Sequence, residues 1–350
     1  MLKAHWKELD FQFKSPAGTS RGTLLRKKSW FLLISDADQP EQTGIGEISI
    51  IPGLSPDKSE AIPAMLSLLC ASINQHSAWR DAFGQAFPAI QFALETALAD
   101  LDNGGERILF DTAFSRGEAG ISINGLVWMG SLDEMKDRVV KKIEDGFKVI
   151  KLKVGAIDFQ QELQLLRFIR NTFPDENLEI RLDANGAFKP GDALKKIAEL
   201  AQFNIHSIEQ PIMPGQHDQM SVICKQSPIP VALDEELIGL SNKLDKIQLL
   251  ETLKPAYLIL KPSLIGGLRQ ADEWIGIAEA NNIGWWATSA LESNIGLNAI
   301  AQWAVSKEVT MPQGLGTAQL YVSNFESPLL VEHAKLFHKN NIPWKLNPLI

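Results

Sequence analysis

The sequence predicts an α/β protein: a modified TIM (β/α) barrel with an α+β capping domain formed by the N-terminal region and the C-terminal tail. From about residue 119, short apolar segments alternate with amphipathic ones, with a period of roughly 22–30 residues. This alternation is typical of parallel βαβ units, and eight units close a barrel. An open doubly wound sheet is the competing fold, but no GxGxxG motif follows an early strand.

The first 117 residues have the patterns of a separate α+β unit. HWKELDFQFK, SWFLLISD and GIGEISI alternate or run apolar as antiparallel strands do, and two helical stretches follow them. The tail PLLVEHAKLFHKNN is expected to return to this unit as a small helix or strand. We therefore expect a capping domain of residues 1–117 with 319–350, and a barrel of residues 118–318.

The barrel elements follow in order. The first helix, residues 131–146, has a capping box of Ser131 and Glu134 at its start and Gly146 as its stop. Further helices are predicted in DFQQELQLLRFIRNTF and in GDALKKIAELAQF. The predicted strands are AGISINGLVWMG (119–130), VIKLKVG (149–155), LEIRLDAN (178–185), IHSIEQP (205–211), PVALDEE (230–236), YLILKPS (257–263), GWWATSA (284–290) and QGLGT (313–317).

Composition narrows the classes of function. The chain has 350 residues, of which 45% are hydrophobic and 22% charged, as in an ordinary globular protein. A formal charge of −8 argues against a nucleic-acid-binding surface, and no window suits a transmembrane helix. The N-terminal segment is too charged for a signal peptide, and Cys70 and Cys224 have the settings of core thiols. We expect a cytoplasmic protein that binds a small molecule rather than nucleic acid or membrane.

Charged residues recur at the ends of five consecutive predicted strands, roughly one βα unit apart. They are Lys151 and Lys153, Asp183, Glu209, Asp234 and Lys261. Three carboxylates brought together in a partly dry barrel mouth repel each other, and a divalent cation removes that repulsion. Oxygen ligands suit Mg²⁺, with Mn²⁺ as a substitute. The alternative is that each carboxylate is a separate ion pair or helix cap.

The lysines are placed for proton transfer. Val149, Lys151 and Lys153 share one face of their strand, which we expect to line the barrel interior, and Lys261 approaches from the opposite side. A lysine crowded by a second lysine and a cation has a lowered pKa and can act as a base, while Lys151 stays charged beside a carboxylate. The parts specify proton abstraction alpha to a carboxylate. The alternative is a purely structural ion-pair network.

This set of lysines and carboxylates resembles the active site of the enolase superfamily, in which a capping domain covers a modified TIM barrel and a Lys or His base works with Mg²⁺. The KxK of Lys151 and Lys153, with a lysine at the sixth strand, resembles the muconate-lactonizing enzyme subgroup. The mandelate racemase subgroup carries a histidine near the end of the seventh strand, and GWWATSA has none.

Longer strings resemble one dehydratase branch of this subgroup, which serves menaquinone biosynthesis. They are chiefly SPAGTSRG (15–22) and TSALESNIGL (288–297), with RLDANGAF, ALDEE, LKPSLIGG and GLGTAQLY in support. The resemblance implies a syn dehydration of 2-succinyl-6-hydroxy-2,4-cyclohexadiene-1-carboxylate to an aromatic succinylbenzoate.

The same resemblance implies a role for each site residue. Lys153 is the base, and Lys261 and Lys151 are cationic helpers. Asp183, Glu209 and Asp234 are the Mg²⁺ ligands, with Asn185 and Glu235 behind them. Ser289, Gly314 and the loop that carries Arg21 hold the succinyl end.

Other activities use the same catalytic set. A racemase of N-succinylated amino acids also needs two lysines on opposite faces. Dipeptide epimerases rank lower because QGLGTAQL lacks their D-x-D, and muconate cycloisomerase has no positive support. A catalytically silent, Mg²⁺-binding barrel is the remaining alternative from outside the enzymes.

Overall fold

The computed structural model describes residues 1–19, 22–83, 86–174 and 177–350. The predicted fold class is confirmed: a parallel sheet alternates with helices, and a separate antiparallel sheet precedes it. The antiparallel sheet consists of β1 (Leu2–Thr19), β2 (Gly22–Asp36) and β3 (Gln39–Ser49), in that spatial order. No helix among the described residues is both long and apolar enough to span a bilayer.

Three helices follow the antiparallel sheet: α1 (Ile62–Ala71), α2 (His76–Ala82) and α3 (Pro88–Asp102). Helix α3 lies directly on β3, and two glycines make this approach possible. A Cβ at Gly44 would be 2.0 Å from the Ala97 carbonyl oxygen, and one at Gly46 would be 1.9 Å from that of Ala93. Side chains at these two positions are therefore excluded, which explains the glycines of GIGEISI.

The barrel sheet has seven parallel strands, and each neighbours the next one in sequence. After β4 (Ile121–Ser122), these strands are β5 (Gly125–Val127), β6 (Val149–Lys153), β7 (Glu179–Asp183), β8 (Ser207–Glu209), β9 (Val231–Leu233), β10 (Tyr257–Leu260) and β11 (Gly284–Ala287). The helices between and after them are α4 (Leu132–Glu144), α5 (Phe159–Thr172), α6 (Pro190–Leu200), α7 (His217–Gln226), α8 (Lys243–Leu253), α9 (Pro262–Ile265), α10 (Leu268–Ala280) and α11 (Asn294–Ser306).

The eighth predicted strand, QGLGT, is reduced to two bridging residues. Gln313 pairs in parallel with Ile123, and Gly314 pairs with Thr288 next to β11. The Gly314 N–H donates to the Ala287 carbonyl at 2.8 Å, and the Asn124 N–H donates to that of Gln313 at 3.0 Å. These bonds join the two edges of the seven-stranded sheet, so the barrel closes without a full eighth strand.

The C-terminal tail touches both parts of the molecule. Residues 320–322 lie against β1, where the Lys14 N–H donates to the Leu320 carbonyl at 2.8 Å. The tail then forms a hairpin of β12 (Leu329–Glu332) and β13 (Lys335–His338). Strand β13 pairs with β4 at the start of the barrel, rather than with the antiparallel sheet. The division of the chain into domains at residues 117 and 318 stays a prediction.

Candidate active site

The charged residues that the sequence analysis singled out lie side by side at the carboxyl ends of the parallel strands. Register places Lys153 of β6 beside Asp183 of β7, and Asp183 beside Glu209 of β8. Asp234 and Lys261 come directly after β9 and β10. A cavity opens over them, lined by Ile51, Leu54, Asn124, Leu126, Trp128, Lys151, Lys153, Asn185, Glu235, Lys261, Thr288, Ser289, Ala290, Leu291, Gly314, Gly316 and Thr317.

Lys151 bridges two of the carboxylates. Its Nζ lies 2.6 Å from Glu209 Oε2 and 2.9 Å from Asp183 Oδ2. Burial lowers the pKa of this lysine, but Asp183 and Glu209 outweigh burial, so that the net pKa is raised. The two carboxylates therefore favour the charged form of Lys151.

Lys153 is the most open of the three lysines, with 13% of its side chain exposed against 6% for Lys151. Its Nζ lies 2.5 Å from Asp183 Oδ2 and 2.6 Å from Asn185 Oδ1. It thus sits between the carboxylate cluster and the cavity, at the position that a base acting on a bound substrate requires.

Lys261 pairs with Asp234 from the other side of the barrel mouth. Burial opposes its charge, but Asp234 and then Glu209 raise its pKa well above the ordinary lysine value. Lys261 is therefore also charged, and it borders the same cavity as Lys153.

The carboxylates of this site are crowded together in a dry setting. Asp183, Glu209 and Asp234 are each at most 2% exposed, and Glu235 is 5% exposed. Burial, followed by the neighbouring Asp183, raises the pKa of Glu209 to about 8, whereas Lys151 and Lys153 overcome burial and lower that of Asp183. The raised pKa of Glu209 reflects the crowding of four carboxylates around three lysines, and a bound divalent cation would favour its ionised form.

The donor set fits a hard cation, but the carboxylates do not form a ready-made cage. Among residues 1–19, 22–83, 86–174 and 177–350, no three acidic, histidine or cysteine side chains lie together in a metal-binding group. The Lys151 ammonium lies between Asp183 and Glu209, and that of Lys261 lies against Asp234. One oxygen is nevertheless spare: Glu235 Oε2 is buried and lacks a hydrogen-bond partner within the described chain.

Asn185 and Glu235 lie beside the carboxylate cluster, and both line the cavity. The Asn185 side-chain amide donates to Glu235 Oε1 at 3.0 Å, and its backbone N–H donates to Asp183 Oδ1 at 3.1 Å. Asn185 has φ +43°, in the left-handed region, which asparagine tolerates better than most residues. Its side chain therefore links Lys153 to Glu235 across two strand ends.

The residues expected to hold the succinyl end have mixed outcomes. Ser289 lines the cavity, but its hydroxyl donates its proton to Glu292 Oε2 at 2.6 Å and accepts a hydrogen bond from Thr317 Oγ1 at 2.9 Å. Gly314 is required by close packing, because a Cβ there would lie 2.5 Å from Thr288 Oγ1. Arg21 lies outside the described residues.

Sequence reasoning missed several residues of this site. Gln210 follows Glu209 with φ +38°, and its Oε1 accepts the backbone N–H of Asp234 at 3.2 Å and of Glu236 at 3.3 Å. Glu292 was missed as well, although it is buried within TSALESNIGL and binds two serine hydroxyls. The feature of the sequence that could have identified Gln210 is its position directly after Glu209 in IEQP.

Comparisons with known proteins identify the family of this chain. Residues 134–336 match the family described as enolase C-terminal domain-like. The o-succinylbenzoate synthase of Desulfotalea psychrophila (strain LSv54 / DSM 12343) is 43% identical, over 95% of this chain and 97% of its own. The crystal structure of MenC from Desulfotalea psychrophila LSv54 has a TM-score of 0.87 at 40% identity, covering 96% of this chain and 99% of that chain.

A more distant structure shares the fold alone. The dipeptide epimerase from Enterococcus faecalis V583, complexed with Mg and the dipeptide L-Leu-L-Tyr, has a TM-score of 0.81 at 20% identity, covering 96% of each chain.

A barrel whose strand ends carry lysines and carboxylates, covered by a cap and matched to this family, defines an enolase-superfamily enzyme. Within that superfamily, the chain belongs to the o-succinylbenzoate synthase family, as the dehydratase strings predicted. The chain is accordingly an enzyme of the carbon–oxygen lyase class.

Proposed function

We propose that this chain dehydrates 2-succinyl-6-hydroxy-2,4-cyclohexadiene-1-carboxylate to 2-succinylbenzoate and water, a step of menaquinone biosynthesis, in the cytoplasm. The observation that carries the proposal is that Lys153 and Lys261 border one cavity from opposite sides of a buried carboxylate cluster. This arrangement suits the removal of a proton beside a substrate carboxylate.

Lys153 is the proposed base. In its amine form, Nζ takes the proton from the ring carbon that bears the carboxylate. The electron pair of that C–H bond then forms the new ring double bond as the C–O bond to the hydroxyl breaks. The resulting Lys153 ammonium returns its proton to the departing hydroxide on the same face, which releases water. The ring becomes aromatic, and this gain drives the step.

Asp183, Glu209 and Asp234 are the proposed ligands of Mg²⁺, or of Mn²⁺ in its place. When bound, the cation offsets the negative charge that develops on the substrate carboxylate. Asn185 is proposed to orient the ligand Asp183 through its backbone N–H, and Glu235 to hold the Asn185 side chain. Lys151 holds Asp183 and Glu209 in place as a permanent cation.

Lys261 is the proposed cation on the opposite face of the substrate. Its carboxylate partner Asp234 keeps it charged, so it stabilises negative charge rather than accepting a proton from the substrate. Ser289 and Gly314 are proposed to shape the wall beside the succinyl arm, with Arg21 at its end. The Ser289 proton goes to Glu292, and its oxygen already accepts the Thr317 hydroxyl and the Leu291 N–H, so the hydroxyl contributes shape to this wall.

A second candidate is racemisation of N-succinylated amino acids. It is favoured by the same two lysines on opposite sides of the cavity, since a racemase must exchange a proton on both faces. A charged Lys261 suits both reactions, as the proton donor in racemisation or as the stabilising cation in dehydration, and the 43% identity to an o-succinylbenzoate synthase favours dehydration.

The direct test is to mix the protein with Mg²⁺ and the cyclohexadiene substrate and to follow the aromatic product by ultraviolet absorbance. We expect turnover that EDTA abolishes and added Mg²⁺ restores. Glu209→Gln, which removes one proposed ligand, should lose the Mg²⁺ dependence together with turnover. If the wild-type protein forms no aromatic product while it binds Mg²⁺, the proposal is wrong.

A further inference from the structure

The cap and the barrel are joined by a buried polar network in which two charged residues come from the cap. Glu47 on β3 is fully buried, and Lys27 on β2 is 3% exposed. Burying charges at an interface costs free energy unless they are well paired, so such groups are weak evidence for stability alone. Their contacts therefore need a different explanation.

Glu47 binds the start of the barrel helix α11. Its Oε2 accepts the Ser293 hydroxyl at 2.6 Å and the Gly296 N–H at 3.0 Å, and both carboxylate oxygens lie 2.9 Å from the Ser293 nitrogen. Its Oε1 also accepts the Ser29 hydroxyl at 2.8 Å. A carboxylate at a helix N-terminus is electrostatically favourable, and this one comes from the other part of the molecule.

Lys27 makes the second connection. Its Nζ donates to Ser49 Oγ at 2.5 Å, and Ser49 in turn donates to the Ala290 carbonyl at 3.3 Å. Lys27 also lies 3.2 Å from Ser29 Oγ, which bonds Glu47. The cap thus holds the barrel segment 288–293 at two points, through Ser293 and through Ala290.

That segment forms a wall of the active-site cavity, which Thr288, Ser289, Ala290 and Leu291 line. From the barrel side, Glu292 bonds Ser289 at 2.6 Å and also Ser263 at 2.5 Å, two residues after Lys261. The position of this segment therefore affects both the wall that faces the substrate and the end of the strand that precedes Lys261.

The anchoring residues also precede the cap's own contribution to the cavity. Glu47 and Ser49 stand at the end of β3, and Ile51 and Leu54, a few residues further on, line the same cavity. The contacts of Glu47, Lys27 and Ser49 therefore fix the cap residues that line the cavity relative to the barrel residues that line it.

The geometry points to Glu47 as a positioning residue of the active site, which, with Lys27 and Ser49, sets the distance between the two walls that enclose the substrate. Glu47 contacts neither the carboxylate cluster nor the cavity, and acts through segment 288–293. The inference rests on the proposed dehydration, because that substrate must be enclosed by these walls.

The test compares Glu47→Gln with wild type in the Mg²⁺-loaded full chain. Glutamine keeps the shape of the Glu47 side chain but removes its charge, and its amide N–H groups would face the backbone N–H groups of Ser293 and Gly296. We expect the KM of the cyclohexadiene substrate and the calorimetric Kd of 2-succinylbenzoate each to rise about tenfold, with kcat per folded molecule changed less than about threefold. Mg²⁺ affinity should not change.

Asp100→Asn is the matched control. Asp100 is a fully buried cap carboxylate that accepts the Ile45 N–H at 2.9 Å and pairs with Arg107 at 2.6 Å. The Arg107 carbonyl accepts the side chains of Asn298 and Gln302 in α11, beyond segment 288–293, so this pair joins cap and barrel away from the cavity wall.

Asp100→Asn should lower Tm without changing KM or the product Kd. Ser49→Ala, a milder variant, should raise both constants about threefold even if Glu47→Gln fails to fold.

Unchanged constants in Ser49→Ala and Glu47→Gln, or equal increases in Asp100→Asn, would overturn the inference. An inactive wild-type protein would instead overturn the proposed dehydration, so the two failures are distinct.

Discussion

At the scale of single residues, Lys151 and Lys153 show how one intervening residue separates two roles. Both point to the same face of β6, and both contact Asp183. Lys151 is held between two carboxylates, whereas Lys153 contacts one carboxylate and the Asn185 amide beside the cavity. The alternation of VIKLKVG predicted that both lysines share one face. The position of each lysine along β6 decides which groups it contacts.

Lys153→Ala should abolish dehydration, because Lys151, the other β6 lysine that lines the cavity, is held as a cation between Asp183 and Glu209. Far-ultraviolet circular dichroism and Mg²⁺ calorimetry should show a folded protein that still binds the cation. Lys148→Ala is the control, since Lys148 is exposed at the start of the same strand and should leave kcat unchanged. Substantial dehydration by Lys153→Ala would refute its role as base.

Asp57 should make stability fall as pH rises. Burial raises its pKa to about 7, although the Ala89 N–H, at 3.2 Å, favours the charged form. Between about pH 4 and pH 7 the unfolded chain releases this proton before the folded chain does, so the folded state loses stability with rising pH.

Asp57→Asn should remove that contribution, which is of the order of a few kcal/mol. Urea unfolding from pH 5 to pH 8 should give the variant a flatter dependence of unfolding free energy than wild type. Parallel curves for the two proteins would show that Asp57 is not the group that titrates.

At the scale of elements, α4 has the boundaries that its end signals predicted. Ser131 Oγ accepts the Glu134 N–H at 3.4 Å, and Glu134 Oε2 accepts the Ser131 N–H at 2.8 Å. Gly146 follows the helix with φ +90°, which glycine adopts without strain. Local signals of this kind can be recognised in sequence because both partners lie within a few residues.

Ser131→Ala should destabilise the protein by about 1 kcal/mol through loss of this cap. The measurement is urea unfolding at neutral pH. Thr172→Ala is a suitable control, because the exposed Thr172 hydroxyl donates to the Phe168 carbonyl within its own helix and its loss should cost little. Equal losses in the two variants would argue against a capping contribution.

The eighth strand shows where element prediction failed. The regular spacing of the βα units placed QGLGT correctly between the two edges of the sheet. Within this segment, Gln313 pairs with Ile123 and Gly314 with Thr288, and the other residues form no strand. The requirement for glycine at 314 comes from Thr288, which approaches from a neighbouring strand. Such a contact depends on the closed barrel, so the segment itself carries no signal for it.

At the scale of the whole molecule, the barrel and its charged strand ends could both be predicted, because the same repeating βα unit produces both. Parallel strands that follow one another place equivalent positions together, so Lys153, Asp183 and Glu209 could be assembled from spacing. The contacts between cap and barrel could not. Glu47 and Ser293 are 246 residues apart, and no repeat relates them.

The central claim is that this barrel dehydrates a cyclohexadiene carboxylate rather than racemising an amino acid. The most direct measurement compares kcat/KM for 2-succinyl-6-hydroxy-2,4-cyclohexadiene-1-carboxylate with kcat/KM for a panel of N-succinyl amino acids, using one Mg²⁺-loaded preparation. We expect kcat/KM for dehydration to exceed that for racemisation by orders of magnitude. A preference of that size for any N-succinyl amino acid would contradict it.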